Sequence, residues 1–283
     1  MGYHQEVILF VDRMSIAALA ADVKRAQDAY RSGTRVMPDW EYDLKEDKLR
    51  QLAPDHPCII GDGVVMLGLR KNRRETFNEW YMQLPCKPTM VVQPKIDGIA
   101  LALRYVDGQL TEALTKQNRC VMDWVQGVGS IPKHLKSKTL GTVEVHGEIW
   151  GVRKDAKDKR TPQSIAAVSA KYSKEAGSRS VFTAYRLLGS LTDESQAMEN
   201  LRRYGFDVPD TYVCTKPGEV CKLYKQWLEG HVSEREPFNT KLFKSWPTDG
   251  VVAKVFDQKL QRKLGAGSEC PNWAIALKAN GIG

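Results

Sequence analysis

The residues most able to do chemistry fall in three short segments, each with a lysine beside an apolar run. The segments are Lys95-Ile96-Asp97-Gly98, Asp249-Gly250-Val251-Val252-Ala253-Lys254 and Trp273-Ala274-Ile275-Ala276-Leu277-Lys278. An ε-amine attacks phosphorus only in its neutral form, which nearby cations and partial burial favour. The pattern predicts a phosphate pocket in which Lys95 is the nucleophile while Lys254 and Lys278 neutralise charge on the phosphate. Asp97, two residues after the nucleophile, is placed with these lysines among the catalytic residues.

A plainer interpretation exists for the first segment. Lys95 could be a surface lysine at the end of a strand, with Asp97-Gly98 as an ordinary turn. The occurrence of all three segments in one chain favours the phosphate pocket.

Two carboxylates stand among apolar residues that read as strands. Glu148 follows His146-Gly147, and a charge between apolar neighbours is costly to bury unless it is paired. Gly147 is expected to let a ligand approach the backbone closely. The alternative is a glutamate on an edge strand that points to solvent. Asp249 belongs either to a turn or to a metal site, and we predict that Asp249 and Glu148 hold Mg²⁺ together with phosphate oxygens.

The elements that must position these residues differ along the chain. Apolar residues at helical spacing predict a helix from Ser15 to Tyr30, and Asp39 is expected to cap a second helix that ends before Pro54. Residues 1–60 therefore form a predicted helical module, and residues 61–283 form a second domain.

The second domain mixes strands and helices. Strands are predicted at 89–93, 99–106, 109–116, 143–152, 181–188, 250–255 and 273–278, and helices at 162–176, 194–204 and 217–228. Asp107-Gly108 between two strand-like runs is a tight-hairpin signal. Hairpins interspersed with helices predict an α+β fold with antiparallel sheets.

Composition narrows the choice of partner and compartment. The net charge of +8 favours an anionic partner, and the basic run 153–160 is either a contact to DNA phosphates or a solvated loop. The six cysteines include no Cys-x-x-Cys pair, which argues against a zinc knuckle and a disulfide framework. No secretory signal or long apolar span is visible, so we expect a cytoplasmic protein with no membrane partner.

From about residue 15 to its end, the chain resembles the covalent nucleotidyltransferases and, among them, the NAD-dependent DNA ligases. The resemblance implies that Lys95 becomes bonded to AMP taken from NAD⁺. It also implies that Glu148 contacts the nucleotide ribose and that Lys254 and Lys278 contact the α-phosphate. Mg²⁺ is the expected metal, and nicked double-stranded DNA is the expected partner.

The helical module resembles the element of these ligases that binds nicotinamide mononucleotide (NMN). The similarity lies in Tyr30 and in the segment Pro38-Asp39-Trp40-Glu41-Tyr42-Asp43. Tyr30 and Tyr42 are suited to stacking on the nicotinamide ring, and Asp39 and Asp43 can accept hydrogen bonds from ribose hydroxyls or the carboxamide. The alternative is that Tyr30 only packs between helices.

Three positions depart from the family pattern. Gln93 replaces a glutamate that accepts a hydrogen bond from the adenine amino group, and its amide carbonyl can accept that same bond. Lys116 replaces an arginine, which is a weaker match at a phosphate or stacking site. Arg31 stands where the family has a histidine. These changes suggest a divergent member of the family, such as one from a phage.

Further elements are expected to complete a ligase. They are an oligonucleotide-binding barrel and helix-hairpin-helix motifs, supplied by the rest of the same product or by a second subunit. Two other functions stay open: an RNA ligase or capping-type enzyme that uses ATP or GTP, and a catalytically silent nucleic-acid-binding subunit.

Overall fold

The structure, a computed structural model, describes residues 3–31, 36–53, 66–71, 77–137, 141–154, 158–171, 179–188, 193–233, 242–243, 245–267 and 270–279. The chain divides into two compact units, Met1–Val65 and Met66–Gly283.

The first unit is helical. It contains α1 (Tyr3–Asp12), α2 (Ile16–Arg31) and α3 (Asp39–Leu52). Leu19, Val23 and Leu49 are fully buried between the helices. The predicted helix that ends at Tyr30 is confirmed, whereas α1 was not predicted.

The predicted capping role of Asp39 is wrong. Pro38 occupies the cap position in an extended conformation, with φ −64° and ψ 149°, and Asp39 is the first helical residue. Proline fixes φ near −65°, which suits the residue that leads the chain into a helix.

The second unit alternates helices and strands. Its helices are α4 (Phe77–Gln83), α5 (Met122–Gln126), α6 (Pro162–Lys171), α7 (Glu194–Tyr204), α8 (Pro217–Ser233) and α9 (Gln258–Leu264). Its strands are β1 (Arg70–Lys71), β2 (Met90–Ile96), β3 (Ile99–Val106), β4 (Gln109–Thr115), β5 (Thr142–Gly151), β6 (Ser180–Leu188), β7 (Tyr212–Cys214), β8 (Thr248–Val255) and β9 (Ala274–Leu277).

The strands form two sheets. The five-stranded sheet has the order β1-β9-β8-β2-β7, and the four-stranded sheet has the order β4-β3-β5-β6. All pairings are antiparallel except that of β1 with β9. The α+β fold class is therefore confirmed.

Strand alternation gives each sheet one apolar face and one face that carries polar groups. Met90 and Val92 of β2 lie in the core of the five-stranded sheet. Because successive side chains point to opposite faces, Gln93 and Lys95 lie on the other face. A separate core covers the four-stranded sheet through residues such as Leu101 and Leu103 of β3.

The tight hairpin between β3 and β4 is confirmed. Asp107 has φ 49° and Gly108 has φ 82°. Two successive residues with positive φ make the type I′ turn, whose twist matches that of the flanking strands.

Most predicted elements of the second unit are present, with ends shifted by a few residues. The predicted strand at 89–93 extends to Ile96, and the predicted helix at 217–228 extends to Ser233. Residues 172–176 of the helix predicted at 162–176 lie outside the described residues. Over the described ranges, no helix combines the length and the apolar character that crossing a membrane requires.

Candidate active site

Lys95 lies where the chain passes from one sheet to the other. It is the penultimate residue of β2 in the five-stranded sheet, and β3 of the four-stranded sheet begins at Ile99. Between them, the backbone N–H of Asp97 donates to the carbonyl of Pro247, over 2.8 Å. The crossing is therefore tied to the residue that precedes β8, and this contact brings the first two lysine segments together.

Asp249 connects Lys95 with Lys278. The Nζ of Lys95 donates to Oδ1 of Asp249 over 2.8 Å, and the Nζ of Lys278 donates to Oδ2 over 2.6 Å. All three side chains are partly exposed, at 24%, 34% and 36% for Lys95, Asp249 and Lys278. One carboxylate thus joins residues from all three segments at a solvent-accessible position.

Two glycines let the backbones approach one another here. A Cβ on Gly98 would lie 2.6 Å from the carbonyl oxygen of Ile149, and one on Gly250 would lie 2.6 Å from that of Leu277. No side chain fits at such distances without a shift of backbone. The glycines of both motifs are therefore required by the close approach of neighbouring backbones.

Glu148 lies on β5, an interior strand of the four-stranded sheet, so the edge-strand alternative is wrong. Its Oε2 atom is buried and has no hydrogen-bond partner within the described structure. Burial raises the pKa of Glu148 to about 8; Lys95 opposes this rise, and Asp249 and Asp97 add to it. The side chain is therefore mostly protonated at neutral pH and belongs electrostatically to the Lys95 cluster.

The role predicted for Gly147 is wrong. A Cβ there would meet the ring of Phe182 at 2.3 Å and the carbonyl oxygen of Thr183 at 2.4 Å. Any side chain at position 147 would collide with these core residues, so the position requires glycine and offers no opening for a ligand.

Asp97 shares the field of this cluster. Burial raises the pKa of its carboxyl group, and the charge of Asp249 raises it further, against the effects of Lys95 and Lys278. The charge of Asp249 thus raises the pKa of both Asp97 and Glu148, and the charge of Asp97 adds to the rise at Glu148.

Lys254 lies apart from the other two lysines. It is opposite Val91 in the β2–β8 register, whereas Lys95 is opposite Gly250. Four residues along a strand correspond to about 13 Å. Its Nζ is 2.5 Å from Oε2 of Glu194 and donates to the carbonyl of Tyr185 over 3.0 Å. Burial lowers the pKa of Lys254, and the Glu194 carboxylate opposes this shift.

Gln93 shares the face of β2 that carries Lys95. It is only 3% exposed and pairs with Val252 of β8. Lys254 is its diagonal neighbour on the same face, at the roughly 7–8 Å spacing that long side chains can bridge. Gln93 donates from Nε2 to the hydroxyl of Thr211 over 2.8 Å and to Sδ of Met198 over 3.4 Å.

Lys116 and the basic run 153–160 are the remaining cations of the predicted sites. Lys116 follows the last residue of β4 and is exposed, and its positive charge acts to lower the pKa of Glu148. In the basic run, Asp158 pairs with Arg160 over 2.7 Å and with Arg179 over 3.1 Å. Part of the positive charge in this run is therefore neutralised within the protein.

In the first unit, the structure describes only part of the predicted NMN site. The side chains of Tyr30 and Asp39 lie outside the described residues. Tyr42 is partly buried and donates to Glu46 over 2.9 Å, while Asp43 is exposed.

Three features of the sites were not predicted. Lys45 in α3 is buried and lies 2.7 Å from both Asp22 and Glu41. Glu194 binds Lys254. Thr211 binds Gln93. The residues in these contacts are either far apart in the sequence or lie in segments without a recognisable motif. The sequence alone therefore gave no signal for them.

An α+β fold whose lysine-bearing strands meet at one carboxylate is typical of the covalent nucleotidyltransferases. Within that class, the chain belongs to the NAD-dependent DNA ligase adenylation domain family, whose model matches residues 71–281. The resemblance drawn from the three lysine segments is confirmed.

The similar proteins include bacterial DNA ligases. The chain is 28% identical to the DNA ligase of Nitratidesulfovibrio vulgaris (Hildenborough) over 94% of its own length and 39% of that ligase. It is 27% identical to the DNA ligase of Mycoplasma genitalium over 86% of its length and 42% of that ligase. The chain thus spans about two fifths of these relatives. A solved structure, the putative ATP-dependent DNA ligase from Aquifex aeolicus, matches with a TM-score of 0.43 and 14% identity over 72% of this chain and 48% of that one. So low a score adds nothing to the family assignment.

Proposed function

We propose that this chain transfers AMP from NAD⁺ to its own Lys95, the first step of NAD-dependent DNA ligation. The observation that carries the proposal is that Lys95 and Lys278 both donate to the carboxylate of Asp249. Each of the three lysine segments thus contributes one residue to this cluster. A nucleophilic amine, a proton acceptor and a second cation are the groups that such a transfer needs.

The step balances as a substitution at phosphorus. The lone pair of the Lys95 Nζ forms a bond to the adenylyl phosphorus, and the bond from that phosphorus to the bridging oxygen breaks. NMN leaves with the electron pair, and AMP stays on Lys95 as a phosphoramidate. The Oδ1 of Asp249, 2.8 Å from the Nζ, is suited to accept the proton that the amine gives up. Lys278 then neutralises charge on the phosphate.

The polar face of the five-stranded sheet supports one orientation of the nucleotide. Lys95 and Lys278 lie at the phosphate end, and Gln93 and Lys254 lie at the other end, where the adenine base would bind. The Lys254 ammonium forms an ion pair with Glu194 and donates a hydrogen bond to the carbonyl of Tyr185, and a remaining hydrogen is available to the base. In this orientation Lys254 contacts the base, whereas the family resemblance implied that it contacts the α-phosphate. Glu148, on the neighbouring sheet, would contact the ribose.

The residues present suit Mg²⁺. Asp249 offers a partly exposed carboxylate, and Glu148 offers a buried carboxyl group whose Oε2 has no partner within the described structure and which would release its proton on binding the metal. Magnesium is commonly held by one or two carboxylates together with phosphate oxygens and water. When bound, it would supply positive charge to the phosphates. We propose that Asp249 and Glu148 hold it.

The helical unit is proposed to select NAD⁺ by binding its NMN half. Tyr42 and the exposed Asp43 lie on α3, within the segment that resembles the NMN-binding element. Tyr30 and Asp39 complete the proposed set.

The later steps of ligation are a wider proposal. AMP would pass to the 5′-phosphate at a nick in double-stranded DNA, a step that depends on precise positioning of the duplex. We propose that an oligonucleotide-binding barrel and helix-hairpin-helix elements bind and position the duplex. They would belong to the same gene product or to a second subunit. A bacterial cytoplasm, including that of a phage-infected cell, is the proposed location.

The test is to incubate the protein with NAD⁺ and Mg²⁺ and to measure its intact mass. Addition of one AMP, mapped to Lys95 and lost in Lys95→Ala, is the expected result. Labelling by ATP but not NAD⁺ would favour the ATP-using alternative, and no labelling by any nucleotide would favour a silent binding subunit. AMP on Lys254 or Lys278 would contradict the assignment of the nucleophile.

A further inference from the structure

The side-chain amide of Gln93 is held from both sides by groups that accept hydrogen bonds. Its Nε2 lies 2.8 Å from the hydroxyl oxygen of Thr211 and 3.4 Å from Sδ of Met198. Gln93 is 3% exposed and Met198 is 1% exposed, so the contacts are enclosed. Thr211 directly precedes β7, the strand that pairs with β2 beside Gln93.

These two neighbours determine which way the amide points. The hydroxyl of Thr211 donates its hydrogen to the carbonyl of Pro209 over 3.1 Å, so towards Gln93 it presents a lone pair. A thioether sulfur has no hydrogen to give and acts only as a weak acceptor. A reversed amide would place its carbonyl oxygen against two acceptors. Both N–H groups of Gln93 therefore face the protein, and the carbonyl oxygen is the atom left for a ligand.

We infer that Thr211, aided by Met198, is a positioning residue that makes the site select a base with an amino group. The inference rests on the proposed function, in which the base of NAD⁺ lies against Gln93. A carbonyl oxygen accepts a hydrogen bond from the 6-amino group of adenine. It cannot do so from hypoxanthine, whose 6-position carries an oxygen that is itself an acceptor.

Loss of the Thr211 hydroxyl changes this preference in a defined direction. Thr211→Val keeps the shape of the side chain but removes the acceptor, so the amide can turn its NH₂ group towards the base. A donor in that place pairs with the 6-oxygen of hypoxanthine. Thr211→Ser keeps the hydroxyl and is expected to keep the original orientation.

The experiment compares NAD⁺ with nicotinamide hypoxanthine dinucleotide as substrates of the full chain. The readout is the ratio of kcat/KM for addition of AMP to that for addition of IMP, each followed by intact mass. The wild type is expected to favour NAD⁺ by about tenfold or more, the size of one neutral hydrogen bond and its mismatch. In Thr211→Val, the ratio should fall at least about fivefold.

Three further variants separate positioning from a general loss of structure. Thr211→Ser should retain the wild-type ratio, as should Thr111→Val, which removes an exposed hydroxyl that bonds the carbonyl of Arg104. In a Gln93→Glu background, the ratio should no longer depend on Thr211, because a carboxylate presents an acceptor in either orientation. Should Thr211→Val fail to fold in a thermal melt, Met198→Leu removes the second acceptor and should lower the ratio in the same direction.

The outcomes distinguish this inference from the function on which it rests. A folded Thr211→Val protein that accepts AMP with the wild-type ratio would overturn the role of Thr211 and leave the proposed function intact. A wild-type protein that takes no AMP from NAD⁺ would overturn the proposed function and the inference together.

Discussion

The Nζ of Lys95 and the Oδ1 of Asp249 lie 2.8 Å apart, although 154 residues separate them in the chain. The same carboxylate holds Lys278 through its other oxygen. Asp249→Asn keeps the shape of the side chain but removes the charge that orients both ammonium groups. We expect the rate of AMP addition to fall about tenfold or more, with little change in melting temperature.

Asp123→Asn is the matched control for this change, because Asp123 is an exposed carboxylate in α5. Its rate should equal that of the wild type. Titration of Mg²⁺ in both variants tests the metal role, and Asp249→Asn should require more Mg²⁺. Full activity of Asp249→Asn at limiting Mg²⁺ would contradict the proposed role of Asp249 in binding the metal.

Lys278 and Lys254 should respond differently to neutral substitution. The side chain of Lys278 is 36% exposed, so Lys278→Met should slow AMP addition about a hundredfold and leave the free energy of unfolding nearly unchanged. Lys254 is 5% exposed, and its partner Glu194 is 1% exposed. Lys254→Met leaves a buried carboxylate without its cation, a change that typically costs about 3–5 kcal/mol.

A double variant separates the two effects of Lys254. Lys254→Met with Glu194→Gln removes both charges, so much of the lost free energy of unfolding should return. AMP addition should still be slow, because the lysine proposed to contact the base is absent. Chemical denaturation and the rate of AMP addition measure the two properties on the same samples. Recovery of the rate together with stability would show that Lys254 acts only on the fold.

The buried carboxyl group of Glu148 predicts a dependence of stability on pH. Its pKa is raised from 4.5 to about 8. Between these values, the folded protein keeps a proton that the unfolded chain has released. The contribution of Glu148 to stability is therefore present at low pH and is lost as pH rises from about 4.5 to about 8.

Glu148→Gln has no proton to lose at this position. The free energy of unfolding of the variant, relative to that of the wild type, should increase by more than about 1 kcal/mol between pH 5 and pH 8. Urea denaturation at several pH values measures the difference. A constant difference across this range would show that Glu148 ionises normally in the folded protein.

The helical unit can be tested with two aspartates on one helix. Asp43 and Asp47 of α3 are both exposed and one turn apart. Asp43→Ala should raise the KM for NAD⁺ and weaken the reverse reaction, in which NMN removes AMP from the protein. Asp47→Ala should change neither. Equal kinetics for the two variants would exclude Asp43 from the NMN site.

The sequence predicted the elements whose signals are local. The hairpin at Asp107-Gly108 needs positive φ at both residues, and that requirement is visible in the residue types. The short helices α4 and α5 were not predicted, because in so few residues helical periodicity is hard to distinguish from a loop. The cap of α3 was placed one residue too late, since Pro38 takes that position.

Long-range contacts account for what the sequence did not reveal about the candidate site. The lysine segments could be found, because each motif lies within a few residues. The separation of Lys254 from Lys95 depends on the register of β2 with β8. The partners Glu194 and Thr211 lie 60 and 118 residues from Lys254 and Gln93, and ordinary helix and loop residues surround them. Gly147 was assigned to a ligand because a strand pattern does not say which face is filled by Phe182.

The close approach of Gly98 to Ile149 and of Gly250 to Leu277 bears on how such proteins can be changed by design. At both places, a carbonyl oxygen stands 2.6 Å from where even a single methyl group would be added. A library that varies the site can therefore draw on the neighbouring side chains, but these two positions have no freedom. Grafting the Lys95 nucleophile onto another scaffold would require copying the distances between the strands β2, β5, β8 and β9. Transplanting the four residues Lys95 to Gly98 alone would not reproduce those distances.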